Sequence, residues 1–356
     1  MGFDRVGVIG VGMMGVAIAA AHLRVGLSVL LYDNSAESLA SAAERIATEL
    51  CLQELTYDPR LVEMTDQLDD MCGLRVIIET IPEKLRLKHR LYNELQQLSK
   101  NVSDSKTLLF SNTSTISIAN LSEVLSADWC LRFCGFHFFH PVRQRSLIEI
   151  IAGGGTGKAT IDFACEHAER LGKISIVVKD GTGFLVNRIL NAYLTAALVL
   201  FGEGVSIERL ERVAVDFGMK IGPFRIMDEI GLDVVLHAGW VLWKAFPERV
   251  MDNDILVKLV GQNRLGRKTG RGFMIYNSQT QWNGDGTPDN EFVATKKNNA
   301  NITDEQIIKK LFGNMRDEAL RCFEDGVINN LSDADTASIK ALGFPESKGG
   351  ITKLQL

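Results

Sequence analysis

Strand-like and helix-like segments alternate from residue 1 to about 180, a Gly-x-Gly-x-x-Gly turn follows the first of them, and a purely helical pattern takes over at Phe184. These features predict an α/β fold: a Rossmann-type dinucleotide-binding domain followed by an all-α C-terminal domain with a shortened second copy. A chain of 356 residues has room for two or three such domains. The expected boundaries are 1–181 for the nucleotide domain, 182–277 for the helical domain, 278–302 for a linker and 303–356 for the partial repeat.

Val6 to Ile9 is a short apolar run, as a strand buried on both faces requires. Met14 to Arg24 is alanine-rich and helical, Leu27 to Tyr32 is strand-like, and Ser35 to Leu52 has helical spacing. Val76–Ile78, Thr107–Phe110, Phe133–Phe138, Leu147–Ile151 and Ile174–Val178 complete the β-rich runs of an expected parallel sheet. Gly181-Thr182-Gly183 marks the change to helices, which run to about Phe246. A basic, glycine-rich segment spans 261–276, and a polar stretch over 277–302 reads as an exposed linker. The order Gly202–Val205, Asp216–Met219, Gly222-Pro223 recurs weakly as Glu324–Val327, Ala341–Pro345, Gly349-Gly350. The second copy stops early, so its end is expected to be frayed or completed by another subunit.

Hydrophobic residues make up 46% and charged residues 23%, which argues against disorder. A net charge of -5 gives no electrostatic footprint for nucleic acid, although it leaves room for a local basic patch facing an anionic ligand. Cysteines 51, 72, 130, 134, 165 and 322 show no zinc-site spacing and read as reduced thiols. The apolar run Phe184–Phe201 carries Asn187, Arg188 and Asn191, so it reads as a buried helix and no membrane span is expected. The N-terminus has no signal-peptide pattern and the last three residues are no peroxisomal address, so cytoplasm is the expectation.

Gly10-Val11-Gly12-Met13-Met14-Gly15 follows a predicted strand and opens a predicted helix, and Asp33 closes the next strand. That context makes the glycine pattern specific for a dinucleotide. Gly10 permits the turn, Gly12 lets backbone approach the pyrophosphate, Gly15 lets the helix pack close, and the helix N-terminus faces the phosphates. Asp33 would bind the adenine ribose hydroxyls and repel a 2′-phosphate, which favours NAD over NADP. His137 sits among aromatics in Gly135–Val142, where a satisfied core histidine is the plain alternative. Glu149 lies in an apolar strand, where a carboxylate is costly unless paired, and a His137–Glu149 pair resolves both oddities.

Ser111-Asn112-Thr113-Ser114, His137-Phe138-Phe139 with Pro141-Val142, Leu147–Ile150 and Lys179–Arg188 resemble successive signatures of the 3-hydroxyacyl-CoA dehydrogenase family. Met219–Phe224 and Asp228–Asp233 resemble its α-domain. Arg264–Phe273 and the duplicated helical unit are more similar to the dehydrogenase half of multifunctional fatty-acid β-oxidation enzymes. The resemblance covers nearly the whole chain. It implies NAD as cofactor, a (3S)-3-hydroxyacyl-CoA substrate, His137 as general base and Glu149 as its support. It gives Ser114 and Asn187 to the reacting oxygen or its neighbours, and places Thr80 and Asn112 near the nicotinamide ribose. Glu83 and Lys88 match positions near the cofactor, while their residue types alone fit an exposed helix face equally well.

His140 stands where the family has asparagine, which puts the surroundings of Glu149 in doubt; a His-x-x-His metal pair lacks further ligands, so no metal is expected. No hydratase half accompanies the chain, so a single reaction step is expected. A hydroxyacyl thioester on an acyl-carrier protein is the alternative substrate, and a non-catalytic NAD-binding protein the alternative class. The resemblance also implies a homodimer through the α-domain, a surface for which the duplicated unit competes.

Overall fold

The computed structural model describes residues 4–102, 106–249, 254–276, 286–289 and 302–355. The chain forms two compact units, Met1–Phe184 and Leu185–Leu356. The first runs β1 (Arg5–Ile9), α1 (Met13–Leu23), β2 (Ser28–Tyr32), α2 (Ala36–Cys51), β3 (Val62–Thr65), β4 (Val76–Glu79), α3 (Leu85–Ser99), β5 (Leu108–Ser111), α4 (Ile118–Ser122), α5 (Ala127–Leu131), β6 (Phe133–Phe138), β7 (Leu147–Ala152), α6 (Lys158–Arg170) and β8 (Ile174–Lys179). The strands form one sheet in the order β3-β2-β1-β4-β5-β6-β7-β8. Strands β4, β5 and β6 are buried throughout, as central strands covered on both faces must be. The order reverses between β1 and β4, and in such sheets ligands sit beyond the strand carboxyl ends at that switch point.

The expected parallel sheet has one exception. β6 and β7 pair antiparallel, with His137 directly opposite Glu149. Residues 139–146 join the two strands, and they are too few for the helical crossover that parallel neighbours need.

Helix α1 is buried from Gly15 to His22 and acts as the core helix against the sheet. Its end meets α6 through two buried imidazoles. His22 Nδ1 lies 2.7 Å from the Ile18 carbonyl, and its Nε2 lies 3.0 Å from His167 Nε2. The carbonyl can only accept, so His22 carries its proton on Nδ1 and accepts at Nε2 from His167. Burial pushes His22 down to about 4, against the pull of the Ile18 carbonyl and with the help of Arg170 and Lys173. Burial, His22 and Arg170 hold His167 well below its ordinary value.

The second unit runs α7 (Val186–Gly202), α8 (Ile207–Phe217), α9 (Pro223–Ile230), α10 (Leu232–Ala245), α11 (Asp254–Gly261), β9 (Met274–Ile275), β10 (Thr287–Pro288), α12 (Asp304–Glu324) and α13 (Leu331–Lys340). Helix α7 packs along α12, with Tyr193 stacked on Phe312 and buried Arg188 paired to Glu318 and Asp325. The weak repeat has a common local device. Glu211 of α8 accepts from Phe224 N after Gly222, and Asp335 of α13 accepts from Thr352 N after Gly350. A Cβ on either glycine would fall within 2.5 Å of the carboxylate side chain.

Of the stretch read as an exposed linker, residues 286–289 pack back on the unit: β10 pairs with β9, and Asp289 is buried against Arg264. The remainder of that stretch lies outside the described residues. No helix among the described residues is long and apolar enough to cross a membrane.

The buried imidazole pair carries a pH dependence of known sign. An imidazole that titrates at 6.5 when unfolded and near 4 when folded takes up its proton only on unfolding across that interval. Its stabilising contribution is therefore complete above pH 6.5 and is lost as the pH falls towards 4. Urea unfolding at pH 7.5 and 4.5 should show the wild type losing at least about 2 kcal/mol more than a His22→Leu/His167→Phe variant. Equal losses would contradict the pair's role.

Candidate active site

Four strands deliver site residues to one edge of the sheet. Gly10 follows β1, Asp33 follows β2, Thr80 follows β4 and Asn112 follows β5. Gly10 adopts φ +95°, a left-handed conformation that glycine supplies without strain. A Cβ on Gly15 would lie 1.9 Å from the Gly10 carbonyl oxygen, so this glycine is a packing requirement. A Cβ on Gly12 would meet nothing within 4 Å, so the backbone there is open to an approaching group. Helix α1 has no side-chain cap and no acidic residue in its first turn, which leaves its positive end available to an anion. Met13, in that turn, is exposed and Met14 packs against the core.

Asp33 is turned into this cradle. Its Oδ2 accepts from Val11 N at 2.7 Å and its Oδ1 from Ser35 N at 2.9 Å. Thr80 Oγ1 donates to the Gly10 carbonyl at 2.7 Å, so Thr80 braces the glycine turn. Arg45 of α2 also holds the turn, donating to the Val11 carbonyl at 2.9 Å. Sequence reasoning missed Arg45, because nothing in a helical run announces which residue folds back on a turn thirty-four positions earlier.

The residues expected to carry the chemistry meet around β5, β6 and β7. Ser114 Oγ is 3.0 Å from His137 Nε2, and His137 Nδ1 is 3.0 Å from Glu149 Oε2. His137 and Glu149 are both buried. A carboxylate only accepts, so Nδ1 carries the ring proton and Nε2 presents its lone pair towards Ser114. The imidazole is flanked by Phe139 and Phe184, with ring centres 4.5 and 6.2 Å away. Asn112 Oδ1 accepts from Phe138 N at 2.8 Å and so ties β5 to the end of β6 beside the histidine. His140 is partly buried, and burial with Arg143 and Arg145 lowers its pKa below the ordinary value. Asn187 stands, partly exposed, in the first turn of α7 in the second unit.

Glu83 and Lys88 do not form an exposed helix face. Lys88 is buried, donates to Glu79 Oε1 at 2.6 Å and lies 3.3 Å from Glu83 Oε2. Glu79 also accepts from Tyr92 and Ser111, a buried network that the sequence did not signal. The basic segment is likewise neutralised: Arg264 and Arg271 pair with Asp289, Arg267 with Glu229, and Lys268 with Asp233. Asp228 fixes the same segment by accepting from Phe273 N and Met274 N. Among the described residues no group of three or more His, Cys, Asp or Glu is arranged to hold a metal ion.

Residues 5–181 match the family model described as 3-hydroxyacyl-CoA dehydrogenase, NAD binding domain, and residues 183–276 match that of its C-terminal domain. The chain belongs to the 3-hydroxyacyl-CoA dehydrogenase family. Its first unit is therefore the family's NAD-binding domain, and the glycine cradle with Asp33 fits that cofactor. The fatty acid oxidation complex subunit alpha of Psychrobacter sp. (strain PRwf-1) is 31% identical over 98% of this chain and 50% of its own length. The chain thus spans about half the length of the curated relatives it matches. Among solved structures, (S)-3-hydroxybutyryl-CoA dehydrogenase from Ralstonia eutropha is 31% identical over 78% of this chain and 100% of its own, with a TM-score of 0.70. The dehydrogenase part of multifunctional enzyme 1 from C. elegans is 26% identical over 98% of this chain and 81% of its own, with a TM-score of 0.67.

The two helix-turn glycines should separate binding from folding. Gly12→Ala is expected to leave the unfolding midpoint within about 0.5 kcal/mol of wild type, yet weaken NADH binding at least about tenfold by filling the open approach. Gly15→Ala is expected to destabilise the domain itself by roughly 1–3 kcal/mol or more. Fluorescence titration with NADH and chemical unfolding of both variants check this; normal NADH affinity in Gly12→Ala would contradict the cradle assignment.

Proposed function

We propose that this protein oxidises (3S)-3-hydroxyacyl-CoA to 3-oxoacyl-CoA with NAD, and catalyses the reverse reduction, as a step of fatty-acid β-oxidation. The observation that carries the reading is the continuous chain Ser114–His137–Glu149, with both links at 3.0 Å.

His137 is the general base. Its Nε2 lone pair is the acceptor for the 3-hydroxyl proton, and in the reverse direction the protonated ring returns that proton to the carbonyl oxygen. Glu149 holds the Nδ1 proton in place, which fixes the tautomer and supports the positive ring once Nε2 is protonated. Ser114 shares Nε2 and so marks where the reacting oxygen is received. NAD, when bound, supplies the hydride acceptor for C3. Asp33 selects NAD, because a second negative group on the adenine ribose would face its carboxylate. Asn187 enters this reading through the family resemblance, as a donor to the reacting oxygen or to its neighbours. The phenylalanines beside His137 exclude water from the ring, which strengthens its polar links. Coenzyme A as the acyl carrier is supported by the names of the relatives, which include a fatty acid oxidation subunit and a 3-hydroxybutyryl-CoA dehydrogenase.

The test follows absorbance of NADH with purified protein and acetoacetyl-CoA, repeated with NADPH. The expected result is rapid oxidation of NADH and little of NADPH. Oxidation only with an acetoacetyl group on acyl-carrier protein would replace the carrier, and no oxidation with either thioester would overturn the reaction. In the same assay His137→Gln should lower kcat by roughly 10²–10⁴ with NADH affinity close to wild type. Unchanged turnover would remove His137 from the chemistry.

A further inference from the structure

Ser114 reaches His137 from a loop, residues 112–117, that belongs to no helix or strand. An irregular loop does not hold a hydroxyl at hydrogen-bond distance without something to shape it. Here the shaping group is Glu83, which comes from the segment before α3. Its Oε1 accepts from Thr113 Oγ1 at 2.6 Å, from Ser114 N and Thr115 N at 2.9 Å each, from Thr115 Oγ1 at 3.1 Å and from Ile116 N at 3.4 Å. Successive backbone N–H groups converging on one point form an anion-binding nest, and this nest is filled by the protein's own carboxylate.

The carboxylate is itself anchored. Its Oε2 lies 3.3 Å from Lys88 Nζ, and Lys88 is fixed by Glu79, whose other oxygen accepts from Tyr92 and Ser111. Burial works against the charge on Glu83, but Lys88 and the donors of Thr113, Thr115 and Ser114 outweigh it and hold the group near 2.

We propose that Glu83 is a positioning residue: it shapes the 113–116 loop so that Ser114 meets His137 Nε2, and the buried Lys88–Glu79 pair holds Glu83 in place. This role is distinct from the cofactor contact that the family resemblance implies for Glu83, and it is carried by the contacts of its carboxylate with this loop and with Lys88. Its kinetic consequence rests on the proposed role of His137, so the first readout needs no turnover.

Long-range ¹H–¹⁵N spectra of histidine-labelled protein contain six imidazoles, and His137 is assigned by its disappearance in His137→Gln. Glu83→Ala should move the His137 Nε2 resonance in the same direction as Ser114→Ala, and should move it no further when added to Ser114→Ala. Glu83→Gln keeps an acceptor oxygen for the loop but sets an NH2 donor against Lys88, and should move the resonance less than Glu83→Ala does. Should Glu83→Ala not fold, Glu83→Asp withdraws the oxygen by one methylene and should move the resonance part of the way. A folded Glu83→Ala, or failing it Glu83→Asp, with the wild-type resonance overturns the proposal, as does a further shift in the Ser114→Ala background. With acetoacetyl-CoA, Glu83→Ala should lower kcat roughly 10- to 100-fold at an unchanged KM for NADH. A raised KM with kcat retained would make Glu83 a cofactor contact and overturn it. If wild-type protein turns over no thioester, the proposed reaction fails on its own, while the imidazole spectra still decide the role of Glu83.

Discussion

The register of the β6–β7 hairpin is the constraint on which the candidate site depends. It sets His137 opposite Glu149 inside the sheet, where both side chains are closed off from water. Strand side chains alternate between faces, so a slip of one residue would set His137 against Ile148 or Ile150 and leave Glu149 without its imidazole. A carboxylate stranded in that interior would cost several kcal/mol. The pair that serves the proposed proton transfer therefore also locks the strands that carry it. The single antiparallel step in an otherwise parallel sheet is the feature that makes this possible, since it brings two residues of one short hairpin side by side.

Around that hairpin the rest of the first unit acts as a set of braces. Asn112 ties β5 to β6, Glu83 fills the loop that bears Ser114, and Thr80 and Arg45 hold the glycine turn. Each brace is a polar side chain spent on backbone N–H or carbonyl groups at or just past a strand end. Strand ends must turn sharply there, and the turns leave backbone groups that need partners. The outcome is a braced rim with two features a ligand could use: Gly12, where backbone can approach a phosphate, and Nε2 of His137, whose lone pair faces Ser114 Oγ.

Much of this could be read from the sequence because the signals were local. The apolar runs of β1, β4, β5, β6 and β7 have the length and content of buried strands, and the glycine turn sits between a strand and a helix. Glu149 stood out because an acid in Leu147–Ile151 demands a partner. What could not be read depends on distant pairing. β3 is four residues with two exposed, too short and polar to declare itself. The Arg264–Arg271 segment reads from the sequence only as basic and glycine-rich, and Glu229, Asp233 and Asp289 arrive from elsewhere to neutralise it. Lys88 fitted an exposed helix face as well as a place near the cofactor, and neither reading announced its burial, which the convergence of Glu79 and Glu83 makes tolerable.

The most direct test of the account is a double-variant cycle on the hairpin pair, read as kcat for NADH-dependent reduction of acetoacetyl-CoA. Glu149→Gln preserves shape but removes the carboxylate that fixes the Nδ1 proton, and is expected to lower kcat about 10²- to 10³-fold. If the two residues act as one unit, adding Glu149→Gln to His137→Gln should cost little more than His137→Gln alone. Fully additive losses, or a Glu149→Gln enzyme as fast as wild type, would contradict the claim that the hairpin register builds the proton-transfer site.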